Sequence, residues 1–194
     1  MKPILSVIVP TRNEELALPA TLAALTAQQD HPWQVELVVV DGGSEDRSVQ
    51  IARDFGAVTV LMPASRGGQL RAGAEVASGE VLMFLHADVL LPLGALTAAA
   101  KSLQQPESAA GCFRVEHQCS KAAGALTRRC IRLADQRSAS RALPYGDQAL
   151  FCTRELYQQV DGMPAIPLME DIAFARALQK HTPITRLPLT VTTS

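Results

Sequence analysis

The chain has 194 residues, 47% of them hydrophobic, and a formal net charge of −1. That is enough for one domain with a real core, and it excludes a disordered chain. It also excludes a long-range field for nucleic acid or anionic lipid, although a few well-placed arginines could bind a polyanion locally.

The N-terminal run MKPILSVIVPTRNEE is too short in its apolar part to cross a bilayer, and no small-residue cleavage site follows it. It predicts a first strand, ILSVIVP at 4–10, rather than a signal peptide. ALPATLAALTAQQ at 17–29 predicts a helix, with Pro19 tolerable in a first turn. VELVVVD at 35–41 is a second strand, and SEDRSVQIARDFG at 44–56 a helix capped by Ser44 and stopped by Gly56. VTVLMP at 58–63, GGQLRAGAEVAS at 67–78 and EVLMFLHAD at 80–88 add a strand, a helix and a strand. Strands apolar on both faces, separated by helices of roughly 10–15 residues, mean right-handed βαβ units. The expected class is α/β, with a mostly parallel central sheet flanked by helices.

The second half is less regular. Expected elements are a helix at 93–106, a strand at 111–118, a basic amphipathic helix at 121–139, a strand at 148–153, a helix at 170–181 and a last strand to the end. The basic helix carries Arg128, Arg129, Arg132 and Arg137, which suit either a solvated face or contact with a partner or anionic lipid. No repeat or linker divides the chain, so 1–194 reads as a single domain. Its abrupt stop after a β-prone run raises the expectation of a truncated C-terminus. Cys112, Cys119, Cys130 and Cys152 lack metal-site spacing and suit reduced, buried thiols in the cytoplasm. No window reaches the ~20 apolar residues of a membrane span.

Ligands of parallel α/β sheets bind at the carboxyl ends of the strands. Those ends carry Pro10-Thr11-Arg12-Asn13-Glu14, then Asp41-Gly42-Gly43-Ser44, then Arg66-Gly67-Gly68 with Arg71, then His86-Ala87-Asp88. Singly, each cluster can be a turn, a cap or a solvated helix residue. Together they deliver acids, arginines and glycines to one rim, the mix a nucleotide needs. Asp88 is a hard oxygen ligand suited to Mg²⁺ or Mn²⁺ beside a diphosphate. His86, two residues back, either joins it or orients it. Downstream, Glu170-Asp171 opens a helix, where acids either cap or hold a general base. Tyr145, Gly146, Asp147 and Gln148 form a plain turn or the wall of an acceptor pocket.

The order SVIVPTRNEE, VVVDGGSEDRS, RGGQLRAGAEVASGEVLMFLHAD and MED before a helix resembles the family 2 glycosyltransferases of GT-A fold. LPYGDQALF with GMPAIPLMED is similar, more narrowly, to a bacterial branch associated with arsenosugar biosynthesis. The resemblance implies inverting transfer of a sugar from a nucleoside diphosphate sugar to a hydroxyl, helped by a divalent cation. It implies a nucleotide-binding half at 1–90 and an acceptor-binding half at 91–194. By position, Pro10, Thr11, Arg12, Glu14, Asp41, Arg71, Ala87 and Asp88 would bind the nucleotide sugar. Asp88, with His86, would hold the metal, and Asp171 beside Glu170 would be the general base. Tyr145, Gly146, Asp147 and Gln148 would face the acceptor.

Two departures stand out. His86 replaces the first acid of the family's D-x-D motif, and the family's usual basic or apolar tail does not follow the last segment, which leads to the expectation that acceptor closure or membrane contact is missing here. A nucleotidyltransferase or a dehydrogenase would show glycines after the first strand, where PTRNEE has none. The alternative that stays open is a non-catalytic protein that binds a nucleotide sugar or a partner.

Overall fold

The computed structural model describes residues 2–118, 143–166 and 168–193. In chain order the strands are β1 (Ile4–Thr11), β2 (Gln34–Asp41), β3 (Val58–Leu61), β4 (Val81–Phe84), β5 (Val89–Leu90), β6 (Ala110–His117), β7 (Phe151–Thr153) and β8 (Ile184–Thr193). The helices are α1 (Leu18–Thr26), α2 (Ser48–Asp54), α3 (Arg66–Val76), α4 (Ala95–Leu103), α5 (Arg154–Gln159) and α6 (Glu170–Gln179), with a 3-10 turn at Gly146–Gln148.

These strands form one sheet in the order β3-β2-β1-β4-β7-β6-β8-β5. Strands β3, β2, β1 and β4 are mutually parallel; β7 runs antiparallel to both β4 and β6, β8 runs parallel to β6, and β5 is antiparallel to β8. The sheet is therefore mostly parallel, with Thr11 and Asp41 in register at the carboxyl ends of β1 and β2. Each face carries its own core. Leu5, Val7, Val9, Val39, Met83 and Phe113 pack with α1 and α4 on one side. Ile8, Val38, Val40, Leu82 and Phe84 pack with α3, α5 and α6 on the other. Both faces are buried, which is why the strands read as unbroken apolar runs.

Three local expectations give way. Ser44 does not cap α2, which starts at Ser48. The Ser44 hydroxyl is drawn to Asp41 instead, an Asx-type bond that competes with capping. Gly56 does end that helix, at φ +73°. The fourth strand stops at Phe84, so His86 and Asp88 lie in a turn rather than on an extended strand. The short α5 was not expected; Thr153 caps it, accepting a hydrogen bond from the Leu156 N–H at 3.3 Å. The basic helix expected at 121–139, with Cys119 and Cys130, lies outside the described residues. Cys112 and Cys152 are buried free thiols whose pKa burial raises, as expected of inert core cysteines.

Candidate active site

The loop after β1 is stitched to the loop after β2. The Asn13 backbone, in the left-handed region at φ +55°, donates to Ser44 Oγ at 2.9 Å, and Asn13 Oδ1 accepts from the Glu45 N–H at 2.8 Å. The N–H of Glu14 donates to Ser48 Oγ at 2.8 Å and that of Glu15 to Asp46 Oδ2 at 3.0 Å. Asp41 is buried, and its Oδ2 accepts the N–H groups of Gly43 and Ser44 at 2.9 and 2.8 Å. Gln69, on α3, locks the strand ends: its Nε2 donates to the carbonyls of Thr11 (3.1 Å) and Val40 (2.7 Å).

These loops bound a cavity of about 430 Å³. Of the residues expected at the nucleotide, Pro10, Thr11, Arg12, Glu14, Ala87 and Asp88 line it, joined by His86. Asp41 and Arg71 are not in the lining. Asp41 holds the turn behind it, while Arg71 turns away to the carbonyls of Asp161 and Met163 (3.4 and 3.5 Å) and to Glu75 (3.5 Å). Two arginines line the cavity, Arg12 and Arg66, the latter alongside Ser65 and Gln69. Burial pushes the Glu14 carboxyl above its usual range, with the charges of Asp88 and Asp46 adding to the effect.

A second chamber of about 350 Å³ adjoins the first and shares Arg66, His86 and Asp88 with it. Its other walls are His117, Tyr145, Gly146, Asp147, Asp171 and Thr193. Around this turn Leu85, Ala87 and Val89 enter one core, and the side chains between them, His86 and Asp88, line the cleft. Beneath the turn, Phe84, Tyr157 and Phe174 interlock with ring centroids 5.4–5.9 Å apart.

Asp171 is more than a cap. Its Oδ1 accepts the N–H of Ile172 at 2.7 Å, but its Oδ2 reaches across to the Gly146 N–H, also at 2.7 Å. Neighbouring Glu170 is buried and faces Arg66 at 3.7 Å, outside the chamber lining. Gln148 also stands behind the wall, its Oε1 accepting the Tyr145 N–H at 3.0 Å to hold the turn. Burial pulls the His86 pKa down, as does Arg66, against the opposing pull of Asp88 and Asp171. Burial raises the Asp147 pKa despite His117, whose Nε2 lies 3.3 Å from Asp147 Oδ2. Thr193 Oγ1 donates to Asp88 Oδ2 at 3.0 Å. Arg66 stands in the rim cluster read from the sequence, without a role assigned to it there, and no motif marks Gln69, His117 or Thr193. Nothing in the sequence pairs residue 117 with 147, or 193 with 88, since only the sheet brings them together.

Among the described residues, no group of three or more His, Cys, Asp and Glu side chains is placed to hold a metal ion. The shared wall offers one hard carboxylate, Asp88, beside the His86 imidazole. That donor set fits Mg²⁺ or Mn²⁺ completed by diphosphate oxygens and water, the usual habit of such ions with phosphate ligands, rather than an all-protein cage.

The glycosyl transferase family 2 model matches residues 6–157. Undecaprenyl-phosphate 4-deoxy-4-formamido-L-arabinose transferase from Aeromonas hydrophila is 32% identical over 143 residues, which is 68% of this chain and 44% of that protein. 4,4'-Diaponeurosporenoate glycosyltransferase from Staphylococcus haemolyticus is 36% identical over 95 residues, 45% of this chain and 24% of that protein. The chain thus spans less than half the length of these relatives. Among solved structures, S. aureus TarS superposes at a TM-score of 0.75 and 20% identity, over 98% of this chain and 60% of that one. The mannosyltransferase PcManGT from Pyrobaculum calidifontis, solved with GDP-Man and Mn²⁺, gives 0.70 at 21% identity, over 99% and 57%. These likenesses show that the fold is GT-A.

Proposed function

The chain belongs to glycosyl transferase family 2, and on that premise we propose that it carries out inverting transfer of a sugar from a nucleoside diphosphate sugar to a hydroxyl. The observation that carries this reading is the meeting of two chambers at Asp88: one lined by the β1 loop and Arg66, the other by Asp171. Residues 1–90 supply the donor half and residues 91–194 the acceptor half of one domain. Asp41 and Arg71 serve the donor side indirectly, through the loops they brace. The narrower likeness to the arsenosugar-associated branch belongs to the same proposal. Cytoplasmic location also belongs to it; among the described residues no helix is long and apolar enough to cross a membrane.

The donor lies with its diphosphate toward Arg66 and Asp88 and its anomeric carbon toward the shared wall. The acceptor hydroxyl approaches from the far chamber, opposite the diphosphate. Asp171 takes its proton as the new C–O bond forms and the bond to the diphosphate breaks. Two backbone N–H groups fix the Asp171 carboxylate and leave lone pairs to accept that proton. Arg66 faces the charge gathering on the leaving group. A divalent cation, held by Asp88 with His86 beside it, would supply Lewis-acid stabilisation there when bound.

Calorimetric titration of nucleoside diphosphates with and without Mn²⁺, on wild type, Asp88→Ala and Asp171→Asn, tests this. We expect Mn²⁺-dependent binding of one nucleotide, lost in Asp88→Ala. Asp171→Asn should keep binding and lose about 10²–10⁴-fold in transfer. Normal transfer by Asp171→Asn would remove it as base. Nucleotide binding with neither hydrolysis nor transfer of the sugar would leave a non-catalytic binder.

A further inference from the structure

Glu170 takes no part in the proton transfer assigned to Asp171. Its side chain is 3% exposed and lies outside the lining of both chambers, away from any acceptor hydroxyl. Its Oε1 is closed to solvent and accepts no hydrogen bond. Buried acceptors are rarely left so. The charge facing that oxygen is the guanidinium of Arg66, whose Nε stands 3.7 Å away. Arg66 is the opposite case. Its side chain is 58% exposed and lines both chambers, and among the described residues its guanidinium has no other ion pair. A long, exposed arginine samples many rotamers and must give them up to meet a ligand. The backbone sets how far apart these two residues sit. A β-carbon on Gly67, next to Arg66, would stand 2.4 Å from the Pro164 carbonyl oxygen and 3.2 Å from Glu170 Cβ, so the first turns of α3 and α6 already touch.

We infer that Glu170 is a positioning residue that holds the Arg66 guanidinium at the junction of the two chambers, ready for the diphosphate of a donor. It acts through Arg66 and touches no ligand itself. This rests on the transferase reading above and adds to it the part that aligns the arginine. Nε is the atom turned to Glu170, which leaves the two terminal nitrogens for phosphate oxygens. Adjacent residues of α6 then serve opposite ends of the reaction. Glu170 aligns the group that meets the leaving charge, and Asp171, held by the Gly146 N–H at 2.7 Å, meets the acceptor's proton.

The sign of one substitution separates alignment from bare charge. By charge alone Glu170 repels a diphosphate, so Glu170→Gln would tighten binding. If Glu170 aligns Arg66, its loss loosens binding, because the ligand must then order the arginine itself. Affinities for UDP, GDP, CDP, ADP and dTDP, each with Mn²⁺, are measured by calorimetry. The proteins are wild type, Glu170→Gln, Glu170→Asp, Arg66→Gln and the double variant Glu170→Gln/Arg66→Gln. For the nucleotide that wild type binds, Glu170→Gln should weaken binding about three- to tenfold. Glu170→Asp keeps the charge and should lose less. In the Arg66→Gln background, Glu170→Gln should change affinity less than about twofold, as befits a residue that acts only through Arg66. Melting curves report whether each variant is folded. Unchanged or tighter binding by folded Glu170→Gln would overturn the inference. So would an equal loss in both backgrounds, which would make Glu170 a general support of α6. A folded wild type that binds none of the five nucleotides would instead overturn the donor-site reading itself.

Discussion

A β-carbon on Gly146 would stand 2.6 Å from Nε2 and 2.9 Å from Cε1 of His86, and 3.3 Å from Oδ2 of Asp171. The imidazole is half-buried in the wall that the two chambers share. Gly146→Ala therefore displaces either the ring or the turn, and the Gly146–Asp171 hydrogen bond lengthens with it. A base misplaced by about 1 Å costs about 10²-fold in turnover, so steady-state transfer should fall by that order while nucleotide binding changes little. Transfer within a few-fold of wild type would show that the wall yields without moving Asp171. At this scale the sequence is informative where a polar side chain interrupts an apolar run, as His86 and Asp88 do. It is silent where function depends on a residue's partner. Asp41 and Arg71 have the right chemistry for a nucleotide, but the sequence does not show that Asp41 accepts the Gly43 and Ser44 N–H groups or that Arg71 reaches the Asp161 carbonyl.

Strands β1, β2 and β4 are legible because burial on both faces leaves unbroken apolar runs, whereas β5, at two residues, and α5, at six, are too short to show any period. What places α5 is a polar network at the end of the sheet remote from the cleft. Glu36 of β2 accepts from the Ser6 hydroxyl of β1 and from Ser78 through both N–H and hydroxyl, each at 2.8 Å. Arg154, opening α5, donates to the carbonyls of Gly79 (2.6 Å) and Ala77 (2.8 Å), closing the C-terminus of α3. Burial alone would raise the Glu36 pKa, but the Ser6 and Ser78 hydrogen bonds and the Arg154 charge outweigh it and hold it below the usual 4.5. Stability gained this way is complete above the unfolded value and is lost as pH falls through the depressed folded one. Glu36→Gln should therefore be less stable than wild type at pH 7, and melts of the two proteins should converge as the pH falls below 4.5. A gap that does not narrow with acid would assign the effect to the hydrogen bonds and not to the carboxylate charge.

Across the whole molecule, β8 joins the site to the far edge of the sheet. It lies between β6 and β5, buries Leu187 and Val191 in the α1/α4 core, and ends with the Thr193 hydroxyl on Asp88 Oδ2 at 3.0 Å. The carboxylate proposed to meet the metal and diphosphate is thus aimed by the last described strand, more than a hundred residues away in sequence. The sequence shows a final β-prone run but not its register, and register alone brings Thr193 opposite His117 and within reach of Asp88. Thr193→Val keeps the shape and β-propensity of the side chain and removes only the hydroxyl. A hydrogen bond to a charged group is worth about 1.5–3 kcal/mol, so Mn²⁺-dependent nucleotide affinity should fall at least tenfold. The melting temperature should fall as well, by about 2–4 °C per kcal/mol lost, and Thr193→Ser should recover most of the affinity. If Thr193→Val binds nucleotide and Mn²⁺ as wild type does, Asp88 is aimed by its own turn, and β8 serves the sheet rather than the site.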